Sequence, residues 1–152
     1  MTRLNKKIKR VKPLIRFREV RLLHETEALA DIRRQKADAM AKLKENQRLY
    51  LDGLKSLNHE RQSGATGRLL TLENSLDFVK GRWCESLKDL RKIEEREKIQ
   101  VVQVMVAQKD VKTLEKLEDR YREQSVAEMN HQAQKNLDEI AIRQSVLGAE
   151  EG

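Results

Sequence analysis

The sequence predicts an all-α fold: a long two-helix antiparallel coiled-coil hairpin whose second helix extends past the first. Three observations carry this. One heptad register runs unbroken from Leu69 to Tyr121, a second three-four alternation of apolar residues lies upstream, and between them sits an interior cluster of helix-breaking residues, Gln62-Ser63-Gly64-Ala65-Thr66-Gly67. A single hairpin over residues 1–152 follows. It divides into a basic N-terminal arm (1–12), helix 1 (13–60), a turn (61–66), helix 2 (67–146) and a disordered tail (147–152).

Helix 1 starts at Pro13, which interrupts the basic stretch. Its seam reads Leu22, Thr26, Leu29, Arg33, Lys36, Met40, Leu43, Gln47, Tyr50, Leu54 and Leu57, weakest at Arg33 and Lys36. The turn is short, which forces antiparallel neighbours, and Thr66 is placed to cap helix 2 through its hydroxyl. The helix 2 seam is stronger: Leu69, Leu72, Leu76, Val79, Trp83, Ser86, Leu90, Ile93, Glu97, Gln100, Val104, Ala107, Val111, Leu114, Glu118 and Tyr121, twelve of the sixteen being apolar. At 1.5 Å per residue the two helices would run roughly 70 Å and 120 Å. An unequal hairpin leaves about the last thirty residues as a single helix beside the basic N-terminus. There the stripe changes phase, with Val126, Met129, Ala133, Leu137 and Ile140 replacing the polar continuation Ser125, Glu128, Gln132 and Glu139. A shifted stripe beyond its intramolecular partner suits packing against something else, although a frayed helix end would also explain it.

Composition excludes most other classes. Charged residues make up 38% of the chain and aromatics 3%, with one proline, so a thick globular core is not available. A disordered chain has no reason to hold apolar residues in register for over fifty positions. Cys84 is the sole cysteine, which rules out an intramolecular disulfide and favours a reducing, cytoplasmic location. No apolar run is long enough to cross a bilayer, so direct membrane insertion is not expected.

Charge is concentrated at one end. Residues 1–21 carry nine Lys or Arg against Glu19, a net +8, while the whole chain carries +7. Such an arm suits nucleic acid, an anionic membrane surface or an acidic protein surface. A basic region leading into heptads resembles the bZIP layout, but that layout needs a continuous helix into a parallel zipper, and here the zipper folds back on itself. Nucleic-acid binding is therefore not expected.

Catalysis is not expected either. His24, His59 and His131 are far apart and no zinc spacing exists, so neither a metal nor any other cofactor is implied. Gly64-Ala65-Thr66-Gly67 lacks the Lys and following Ser or Thr of a phosphate-binding loop. Glu94, Glu95 and Glu97 have no cleft to desolvate them.

Two segments carry a family resemblance. Leu114-Glu-Lys-Leu-Glu-Asp-Arg-Tyr121 followed by Gln134-Lys-Asn-Leu-Asp-Glu-Ile-Ala-Ile-Arg143 resembles the C-terminal helix of the FliJ family of flagellar export proteins. Ile8-Lys-Arg-Val-Lys-Pro-Leu-Ile-Arg16 resembles the opening of YscO, the counterpart in non-flagellar type III secretion, and tips the reading toward YscO. The resemblance implies a non-enzymatic stalk, with one end in the pore of a hexameric secretion ATPase and the turn side against the ring-forming export gate. Some family members also bind export chaperones. By position, the ATPase contact would comprise Lys6, Lys9, Arg10, Arg16, Arg18, Tyr121, Val126, Met129, Leu137 and Ile140. The gate contact would comprise Leu43, Tyr50, Leu76 and Trp83, with Asn46 standing where the family pattern has an aromatic. As seam residues, those four are also expected to pack on one another. The resemblance further implies a cytoplasmic protein at the inner-membrane secretion apparatus of a bacterium, monomeric when free. The alternative is a self-associating or chaperone-binding coiled-coil adaptor without an ATPase partner.

Overall fold

The computed structural model describes residues 2–64 and 67–151. Two helices account for nearly all of them: α1, Arg3–Ser63, and α2, Leu69–Glu151. The expected Thr66 cap lies outside the described residues.

The termini of these helices have local causes. Thr2 caps α1, its Oγ1 accepting from the Asn5 amide at 3.2 Å, which occupies one of the otherwise unpaired first-turn donors. Gly64 closes the other end with φ 73°, the left-handed conformation that terminates helices and that side chains with a Cβ rarely adopt. In α2, the first backbone bond beyond the turn runs from the Leu72 amide to the Arg68 carbonyl at 2.9 Å.

Four expected boundaries need correction, the first being the end of helix 1, because residues 61–63, expected in the turn, belong to α1. Residues 3–12, expected as an arm outside helix 1, belong to α1. Pro13 sits inside that helix with its ring on the exposed side, so the Lys9 carbonyl lacks its usual amide partner. The loss is tolerated because Leu4, Val11 and Ile15 are buried on the opposite side. Helix 2 begins at Leu69, since Gly67 and Arg68 remain in the turn. At its far end residues 147–151, expected as a disordered tail, are helical.

The chain forms two compact units, each taking a stretch of both helices. The turn-side unit, Leu23–Met105, buries Leu29, Ile32, Leu57, Leu90 and Val104. The second, Met1–Leu22 with Val106–Gly152, buries Leu4, Val11, Ile15, Ala107 and Val111. Among the described residues no polar or charged residue is fully buried and no buried polar side-chain atom lacks a partner. Each core is a single seam.

All sixteen expected seam positions of α2 are buried or half-buried. In α1 every seventh residue from Leu22 to Leu57 is covered as expected, but the positions between are displaced by one. Glu25, Ile32, Ala39, Asn46 and Gly53 are covered, whereas Thr26, Arg33, Met40 and Gln47 are exposed and Leu54 is half-buried. The α1 seam thus steps by three then four from Leu22, not four then three. Polar seam residues explain the misreading, because each meets a polar residue across the hairpin. Gln100 Nε2 donates to the Glu25 backbone oxygen at 2.9 Å and to Glu25 Oε2 at 2.5 Å. Lys36 Nζ donates to Glu97 Oε1 at 3.2 Å, and Asn46 Nδ2 donates to Ser86 Oγ at 2.5 Å. Such matched layers satisfy groups that an apolar seam would leave unpaired.

Candidate docking site

In the unit holding both ends of the chain, α1 covers α2 only as far as Ser125. The Lys7 ammonium lies 5.3 Å from the centre of the Tyr121 ring, a cation–π contact that covers one side of an expected ATPase-contacting residue. Thr2 and Asn5 then line a shallow groove with Ser125, Met129 and Gln132. Beyond this point every described α2 residue up to Ala149 is exposed.

The exposed segment carries the phase-shifted stripe. Val126 is 57% exposed, Met129 70%, Leu137 60% and Ile140 51%. With Ala133 and Leu147 they fall within an arc of about 80° at 100° per residue, so they form one face rather than scattered apolar residues. Among the described residues only Thr2 and Asn5 approach this face, at its Met129 end.

The expected cations separate into two kinds. Arg18 and Arg21 both reach Asp110 Oδ2, at 3.7 Å and 3.8 Å, so their charge is partly neutralised within the molecule. Lys6, Lys9, Arg10, Lys12 and Arg16 are exposed, and among the described residues no acidic side chain lies within ion-pairing distance of them. Arg18 is thus set apart from the other expected contact cations.

On the turn side, Tyr50 and Trp83 stack with ring centroids 5.3 Å apart and an interplanar angle of 38°. Leu76 fits against Gly53, where an added Cβ would come within 2.9 Å of Leu76 Cδ1. Leu43 is half-buried. The four expected gate residues are therefore held between the helices, with only their edges accessible. Asn46, the departure from the family pattern, lies among them and donates to Ser86.

Sequence reasoning missed exposed apolar residues outside both seams. Leu14, Phe17 and Val20 stand among the free cations of α1, and Leu70 and Phe78 near the turn, with the Arg82 guanidinium 5.8 Å from the Phe78 ring centre. Their signal is an apolar residue that fits neither three-four alternation.

Among the described residues no three His, Cys, Asp or Glu side chains group so as to hold a metal ion, and no helix is long and apolar enough to cross a membrane. The exposed Glu45 carboxyl lies below its usual range because Arg48 donates to it, but this is a local surface pair on one helix. The exposed apolar stripe of α2 and the unpaired cations of α1 are the pronounced surface features of the unit that holds them.

The sequence profile of FliJ, described as flagellar FliJ protein, matches residues 7–149, nearly the whole chain. The chain belongs to the FliJ family. It is accordingly a non-enzymatic stalk-type component of the type III export machinery, on its cytoplasmic side, in a family that associates with the export ATPase and apparatus. The match does not distinguish the flagellar members from the YscO branch. No curated protein and no solved structure matches the chain.

Proposed function

We propose that this protein docks into a hexameric secretion ATPase through the exposed face of α2 beyond Ser125 and the free cations at the start of α1, and links that ATPase to the export gate through its turn side. The uncovered stripe Val126, Met129, Ala133, Leu137 and Ile140 carries the reading. A helix this far beyond its partner keeps an apolar face only at a cost in solvent exposure, which a second protein surface removes. Lys6, Lys9, Arg10 and Arg16 add long-range attraction to an acidic partner, and Tyr121, beside the Lys7 ammonium, lies about one turn before the paired helices give way to the single one at Ser125. For the gate, the half-buried edges of Leu43, Tyr50, Leu76 and Trp83 supply an apolar surface on the other unit.

The test is direct. Removing residues 122–152 should abolish binding to the secretion ATPase and stimulation of its hydrolysis, while the remaining hairpin keeps its helical circular dichroism. Val126→Asp with Leu137→Asp in the full chain should give the same loss. Undiminished binding by both variants would move the adaptor reading ahead. Gate binding is measured separately, with the ring protein's cytoplasmic domain, and should survive both changes.

A further inference from the structure

The start of α1 carries an exposed apolar ridge, Leu14, Phe17 and Val20, that the stalk reading does not use. Around the helix, at 100° per residue, Leu4, Val11, Ile15 and Leu22 point to one side and form the seam. On the opposite side an arc of about 160° holds Arg16, Lys9, Val20, Pro13, Lys6, Phe17, Arg10 and Leu14, with Arg3 and Arg21 inside it. Its apolar members are open to solvent: Phe17 is 67% exposed, Leu14 and Val20 each 52%. They succeed one another at three-residue steps and so make a ridge. Lys6, Lys9, Arg10 and Arg16 lie between and beside its members, with charges that no acidic side chain among the described residues neutralises. The acidic residue of this stretch, Glu19, falls outside the arc.

We infer that this face is a binding surface for an anionic phospholipid bilayer, with Phe17, Leu14 and Val20 entering the headgroup boundary and the cations resting on the lipid phosphates. A basic face interleaved with an exposed aromatic and aliphatic ridge, on a helix whose other side is already packed, lies in an interface rather than across it. Cations alone would suit any polyanion, but the ridge is what a bilayer rewards and a nucleic-acid backbone does not. The surface is separate from the α2 stripe, although its cations overlap those proposed to face the ATPase.

The experiment is co-sedimentation of the full chain with vesicles of phosphatidylcholine alone and of phosphatidylcholine with phosphatidylglycerol. Binding to the anionic vesicles is expected, with little to the neutral ones, and it should weaken as salt rises. Leu14→Ser with Phe17→Ser, at exposed positions that leave the seam intact, should weaken binding about tenfold with unchanged helicity. Lys9→Glu with Arg10→Glu should weaken it further, by at least about fivefold per charge. No binding to anionic vesicles, or equal binding by the Leu14→Ser, Phe17→Ser chain, would overturn the inference, the latter reducing the arm to a general polyanion binder. Val126→Asp with Leu137→Asp separates the two proposals, because it should abolish ATPase binding and leave vesicle binding in place.

Discussion

Glu97 occupies a seam position and accepts from Lys36 at 3.2 Å, with Arg33 Nε 3.9 Å from its other oxygen. A pair this poorly shielded gains little from Coulomb attraction, and replacing it with packed apolar side chains is often stabilising. Glu97→Leu combined with Lys36→Leu should therefore raise stability by about 1–3 kcal/mol in urea unfolding. A loss of stability would mean that the polar layer contributes more than pairing. Gly53 makes the opposite argument, because its missing Cβ leaves the space that Leu76 Cδ1 fills. Gly53→Val should cost about 1–3 kcal/mol by overpacking. Adding Leu76→Ala should cost less in that background than in the wild-type chain, and strictly additive energies would show that the two residues do not compete for the space.

At the scale of the helix, register is the quantity to test. Ile32 is buried and Met40 is 40% exposed, although the alternation read from sequence puts Met40 in the seam and Ile32 outside it. Ile32→Ala should cost about 2–4 kcal/mol and Met40→Ala under about 1 kcal/mol; the reverse ranking would restore the sequence reading. On α2, where both readings agree, Leu90→Asp should destabilise by several kcal/mol while Asp89→Ala changes little, since only the first buries a carboxylate without a partner. The contrast between helices has a physical origin. α2 is read correctly because residues such as Leu72, Trp83, Leu90 and Val111 leave one alternation clearly ahead. In α1, Met40 and Leu54 lend apolar weight to the wrong alternation while Glu25, Asn46 and Gly53 withhold it from the right one. Their satisfaction comes from Gln100, Ser86 and Leu76, which no local pattern reveals.

For the molecule as a whole, charge placement sets how it meets partners. Residues 1–21 carry +8 of a chain whose net charge is +7, so attraction to an acidic surface acts through one segment. Reversing Arg10 and Arg16 to Glu should slow association with the secretion ATPase by about tenfold or more at low salt, with the difference shrinking near 1 M salt, measured by surface plasmon resonance. A salt-independent loss would point to misfolding instead. Several properties were fixed by sequence alone: the helical class, the hairpin, the α2 register, the basic segment, the exposed stripe beyond Tyr121 and the family resemblance. Each is a property of neighbouring residues, of periodicity, composition or a run of charge, and needs no partner to be defined. Tertiary structure decided that residues 3–12 continue α1 through Pro13, that α1 steps by three then four, that Arg18 is tied to Asp110, and that Tyr50 stacks on Trp83. Those outcomes depend on side chains that lie far apart in sequence and meet only when the helices pack, which is why neither helix could announce them by itself.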